Sequence, residues 1–228
     1  MSFEIDKLYF KTGRILERIP LRDRQKLLLP AKRFKARKGK VIYREGAFSK
    51  GLYLLRKGKV KVYQTSRDAR EQIMFIYTKG ELFGYRPLIS EEPHPVSAAA
   101  LEDCSYDFVP AGHFMKCMKS SNDLMHAVLV SLSQEFTVWV NNTTVLAQHP
   151  VKARVAIGLL VLEELYKVKG KSNGVNLSRN NFASYLGTVK ETLVRVLQEF
   201  KKQGIVATQG QHIRILDRQA LRRIAEFY

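Results

Sequence analysis

The 228-residue sequence predicts an α+β chain in three successive parts: a β-rich front, one long helix, and a helix-turn-helix with a wing behind it. Three observations predict it. Short β-rich runs separated by glycines fill residues 34–109, an apolar seam repeats in steps of four and three from Met125 to Leu146, and two short helical patterns flank Gly187 ahead of a hairpin pattern. With 45% apolar residues the chain can fill two cores.

In the front part, residues 41–43, 51–55, 60–63 and 72–77 are the β-rich runs, and Gly39, Gly46, Gly58 and Gly80 fall at the turns between them. Short strands at regular spacing make a sandwich or a barrel. Further on, Met125, Leu129, Leu132, Phe136, Trp139, Thr143 and Leu146 form an a/d seam, so this helix is expected to pair with its twin in a homodimer. Leu124, Val128 and Val138 leave a second face for packing within the chain. The seam ends near Gln148-His149-Pro150, where proline cannot continue the hydrogen-bond ladder and a hinge is expected.

Behind the hinge, Ser178 is placed to cap a short helix that buries Phe182 and Leu186 and ends at Gly187, which suits a left-handed turn. A second helix over residues 189–203 puts Leu193, Val196, Leu197 and Phe200 on one face and Glu191, Arg195, Gln198 and Lys202 on another. Such a polar row suits the major groove, where arginine pairs with guanine and glutamate accepts from the cytosine amino group. A merely solvated face is the rival reading. The glycine corner and a wing over 205–208 and 212–215, turning at Gln209-Gly210-Gln211, favour DNA. Thr188 and Glu191 have the spacing of a capping box, which competes with a base contact for Glu191.

Charge agrees with a polyanionic partner: 39 Lys and Arg stand against 21 Asp and Glu, a net +18. The cluster Lys32, Arg33, Lys35, Arg37, Lys38 and Lys40 either extends a DNA footprint or is a solvated strand surface, and the latter is favoured. Residues 1–11 lack the apolar core of a signal peptide and no run is long enough to span a bilayer, so a cytoplasmic chain without membrane contact is expected. Cys104 and Cys117 make no metal-binding pattern and are expected as reduced thiols, with no structural metal. No GxSxG, HExxH, GxxxxGK[ST] or strand-linked GxGxxG is present, so enzyme chemistry is not expected. A nonspecific architectural DNA protein, or constitutive DNA binding without an effector, is the alternative to a specific regulator.

Lys38-Gly39, Glu45-Gly46, Leu52-Tyr53-Leu54, Gly58-Lys59-Val60 and Leu82-Phe83-Gly84 follow the pattern of the cyclic-nucleotide-binding β-roll. With the winged helix behind it, the whole chain resembles the Crp/Fnr superfamily of bacterial transcription regulators. The resemblance implies a double-stranded β-helix (β-roll) effector domain over 1–120, a coiled-coil dimerisation helix over 121–148 and a winged helix-turn-helix domain over 149–228. It also implies a homodimer on a palindromic DNA site with half-sites about 34 to 36 Å apart, an effector in the β-roll that changes how the long helices pair, and RNA polymerase as a further partner.

Residue by residue, the resemblance aligns Lys190, Glu191, Thr192 and Arg195 with the family's base-reading pattern, and makes Ser178, Arg179 and Thr188 phosphate contacts. Lys190 replaces the arginine of cyclic-AMP-type readers, and Val189 stands where relatives place serine or threonine. The tentative effector pocket, Phe83, Gly84, Tyr85, Arg86, Ser97, Ala98 and Trp139, departs further. Tyr85 replaces the glutamate that follows Phe-Gly, Ser97-Ala98 replaces the Arg-Ser/Thr pair, and Trp139 and Val140 replace a Thr-Ser pair that meets adenine. Arg86 is the candidate substitute for the missing arginine, and Trp139 a candidate filler of the pocket. Cyclic AMP is therefore not expected to bind, which leaves a different effector, a degenerate pocket with constitutive DNA binding, or haem. Haem is disfavoured because His94, His113, His126, His149 and Met74 lack paired spacing, and an iron-sulfur cluster needs about four thiolates where the chain has two.

Overall fold

A computed structural model describes residues 5–167, 170 and 174–226. They form two compact units: one of residues 11–64 and 74–135, the other of the described residues within 1–10, 65–73 and 136–228.

In chain order the front elements are α1 (Arg14–Arg18), α2 (Leu21–Leu28), β1 (Lys32–Ala36), β2 (Val41–Tyr43), β3 (Gly51–Lys57), β4 (Val60–Thr65), β5 (Glu71–Tyr77), β6 (Leu82–Phe83), α3 (Arg86–Ser90), β7 (Ser97–Ala100), β8 (Cys104–Pro110), α4 (Ala111–Ser120) and α5 (Asn122–Gln148). The strands make two four-stranded sheets, ordered β1-β8-β3-β6 and β2-β7-β4-β5. Residues 51–55 are buried throughout, because the pleat of β3 sends alternate side chains to two cores. Leu52 and Leu54 pack with Ile15, Leu27, Phe114 and Leu124 under the helices, while Tyr53 and Leu55 pack with Val60, Tyr77 and Phe83 between the sheets. The β3–β4 turn admits only glycine at Gly58: its φ is +85° and a Cβ there would lie 2.7 Å from the Asp103 carbonyl oxygen.

The remaining elements are α6 (Val151–Tyr166), β9 (Val175–Asn176), α7 (Arg179–Leu186), α8 (Lys190–Lys202), β10 (Val206–Gln209), β11 (His212–Ile215) and α9 (Arg218–Glu226). The three strands form one antiparallel sheet, ordered β10-β11-β9. α6 is buried on every face, and Gly158 lets it approach Phe182 and Leu186 of α7. Arg218 ties α9 to α6 through Glu163 and Glu164. Among the described residues, no helix is long and apolar enough to cross a membrane.

Candidate functional site

The corner between α7 and α8 is built as its local chemistry dictates. The Ser178 hydroxyl accepts from the Asn181 N–H at 3.2 Å and caps α7, and Gly187 ends that helix at φ +60°. The N-cap of α8 is Val189, with no side-chain cap, so the capping box expected from Thr188 and Glu191 does not form. The helix starts one residue later than that box requires. Glu191 is consequently exposed, together with Lys190, Arg195, Gln198 and Lys202, while Thr192 is half-buried. On the opposite face Leu193, Val196, Leu197 and Phe200 are buried, as the spacing predicts.

Several contacts hold this pair of helices from behind. Arg154 Nη1 donates to the Leu186 and Gly187 carbonyls at 2.8 and 3.1 Å, placing a cation at the negative end of α7. Gln72 Nε2 donates to the Tyr185 carbonyl at 3.4 Å, and Lys152 pairs with Glu199 of α8. Arg179 is not a free cation at the tip of α7: it donates to the Gly210 and Gln211 carbonyls at 3.1 and 3.3 Å, bracing the wing turn. Burial lowers its pKa. None of Gln72, Lys152, Arg154 or Glu199 was identified from sequence, since each acts through a contact distant along the chain.

The seam of α5 is divided between two environments. Met125, Leu129, Phe136, Trp139 and Val140 are 40–70% exposed, an apolar stripe opposite buried Leu124, Val128, Ser131, Glu135 and Val138. Leu132 packs against the core under the front helices, and Leu146 reaches Gly187, so neither stands fully on the stripe. Thr143 is exposed, and its hydroxyl donates to the Trp139 carbonyl at 2.9 Å, which satisfies the polar group at that seam position.

The residues of the expected effector pocket pack against the chain's own side chains. Phe83 is fully buried and stacks on Tyr53 and Tyr77 with centroids 5.0 and 5.5 Å away, and Tyr43 stacks on His94 at 3.8 Å. Burial raises the Tyr43 and Tyr77 pKa values and lowers that of His94 to about 4. Ala98 is fully buried, and the Ser97 hydroxyl accepts from the Glu45 N–H at 3.0 Å. Tyr85 is buried and donates its hydroxyl to Glu135, whose other oxygen pairs with Arg86. Arg86 therefore points at α5, with its guanidinium 5.4 Å from the centre of the Phe75 ring. Burial is the main cause of the raised pKa values of both Tyr85 and Glu135. Trp139 is 44% exposed and stands on the stripe. These residues do not fit a cyclic nucleotide: the ribose-binding carboxylate is replaced by a phenol already bonded within the chain, and the phosphate-binding arginine-hydroxyl pair by a neutral serine and a core alanine.

Elsewhere, the six cations around β1 are exposed, and Arg33 shares Asp107 with Arg56 at 2.7 and 2.6 Å. Cys104 and Cys117 are buried free thiols.

Comparison with known proteins matches residues 33–121 to the cyclic nucleotide-binding domain and residues 153–224 to the Crp-like helix-turn-helix domain. The transcriptional activator protein Anr of Pseudomonas protegens is 28% identical over 184 residues, 79% of this chain and 75% of that one. The fumarate and nitrate reduction regulatory protein of Escherichia coli is 27% identical over 191 residues, 82% of this chain and 76% of that one. Among solved structures, FixK2 from Bradyrhizobium japonicum superposes with a TM-score of 0.78 at 27% identity, covering 85% of this chain and 96% of that one.

Proposed function

The chain belongs to the Crp/Fnr family of transcription regulators, and on that premise we propose that it acts as a homodimer whose two α8 helices read a palindromic DNA site. The observation that carries this reading is the exposed row Lys190, Glu191, Arg195, Gln198 and Lys202 over a buried opposite face. Arg195 reads a guanine, Glu191 reads a cytosine amino group, and Lys190 and Thr192 set the flanking preference. Ser178 and Thr188 contact phosphates, whereas Arg179 contributes by holding the wing turn. The apolar stripe of α5 supports pairing of two copies, since an exposed row of large apolar side chains gains most from mutual burial.

In this reading residues 1–120 form the sensor domain, 121–148 the dimer helix and 149–228 the reading domain. The protein works in the cytoplasm, and the activator name of its relative Anr supports RNA polymerase as the further partner. Cyclic AMP is not the effector. Selection from random duplexes followed by footprinting tests the reading: a two-fold symmetric motif protected by a dimer is expected. Recovery of no motif would sink it in favour of an architectural role.

A further inference from the structure

We infer that Tyr85 and Arg86 grip α5 through Glu135 and so do within the chain what a bound effector would do. The turn that presents them is fixed. Gly84 has φ +80°, and a Cβ there would lie 2.8 Å from the Tyr53 ring, so only glycine lets the chain turn so closely against the aromatic core. Tyr85 and Arg86 follow at once, and Pro87 continues into α3. Glu135 lies on the buried side of α5, 50 residues from Tyr85 in sequence. Its Oε1 accepts from the Tyr85 hydroxyl, and its Oε2 is ion-paired with the Arg86 guanidinium, whose Nη2 is buried and makes no hydrogen bond. Ser131, buried one turn earlier on the same face, also hydrogen-bonds Tyr85.

A carboxylate shielded from water in this way is held only while both neighbours stay in place, because withdrawing either leaves charge or a polar atom buried alone. Phe136, the most exposed residue of the stripe, is adjacent to Glu135. The grip therefore sets the rotation of α5 in the middle of the stripe expected to pair with a second copy. DNA binding should then be independent of cyclic nucleotides and dependent on this trio.

The test uses the full-length chain and the duplex recovered by selection, with and without cyclic AMP or cyclic GMP. Arg86→Gln and Glu135→Gln should each weaken DNA binding at least tenfold, and the double variant should be no worse than the poorer single one, since all three remove the same interaction. The parent's affinity should not respond to either nucleotide. Tyr85→Phe removes only a hydroxyl and serves if the charge variants fail to fold. Hydrogen exchange should quicken around residues 128–138 in each variant while the β3 and β8 amides keep their protection. Parent-like affinity in the single variants, additive losses in the double variant, or a parent whose affinity rises with a cyclic nucleotide would each overturn the inference. The DNA readout rests on the regulator reading. A parent that selects no DNA would strike that reading alone, and the exchange measurement would still decide the grip.

Discussion

Phe136 is the most exposed apolar side chain of α5, 70% accessible in the single chain, and its replacement by alanine is the direct test of pairing. A phenyl group at that exposure offers roughly 100 Å² of apolar area beyond what alanine supplies, or about 2.5 kcal/mol per protomer at about 25 cal/mol per Å². A symmetric dimer loses it twice, and incomplete coverage by the second copy halves the total, which leaves about 2.5 kcal/mol and a dimer dissociation constant raised roughly 50- to 100-fold. Sedimentation equilibrium measures that constant directly. Because the side chain already faces water in one protomer, the far-UV spectrum and the melting of the dissociated chain should not change. An unaltered dimer constant, or a parent that sediments as a single subunit at every concentration, would refute the assignment of this stripe to pairing.

Arg195→Ala should cost about 1–3 kcal/mol of discrimination between the selected site and its variants, and equal losses on selected and random duplexes would contradict a base-reading role. Arg179→Ala frees the Gly210 and Gln211 carbonyls, so exchange at the wing turn should quicken and all DNA sequences should be bound more weakly alike. Glu81 is buried and accepts from the Thr12 and Thr78 N–H groups and the Thr78 hydroxyl, and burial is the main cause that lifts its pKa to about 7. Its proton is therefore held more tightly in the folded state. The associated stability is complete below the ordinary carboxylate pKa and is lost as pH rises toward 7, by on the order of 3 kcal/mol. Denaturant titrations from pH 4.5 to 7.5 should show that slope in the parent and a flatter one in Glu81→Gln; identical slopes would refute it.

The parts of the fold legible in the sequence are those whose signals are local. Periodicity exposed the buried face of α8, the Ser178 cap and Gly187 marked the corner, and the turn at Gln209-Gly210-Gln211 marked β10 and β11. The cap of α8 was misplaced by one residue, because Thr188 and Glu191 satisfy a spacing rule that the backbone does not use. Short helices such as α1 and α3 left no periodic signal to find. The contacts that give the front domain its character join residues far apart in sequence, Thr12 with Glu81 and Tyr85 with Glu135, and no single-sequence pattern announces such pairs. Arg86 was visible as an unplaced cation, but its direction depends on Gly84 and on a carboxylate in a different element.

The bonds that Lys152 and Arg154 make to Glu199, Leu186 and Gly187 weld the first turn of α6 to both helices of the corner. Between that weld and the end of α5 only His149 and Pro150 remain. Leu146 in the last turn of α5 also reaches Gly187, so the same corner is held from both sides of this two-residue connection. In the proposed dimer, substitutions at Leu146, His149 or Pro150 should alter which separation of half-sites is tolerated without changing the bases preferred within each half. On that proposal, spacing and spelling of the DNA site are free to diverge independently.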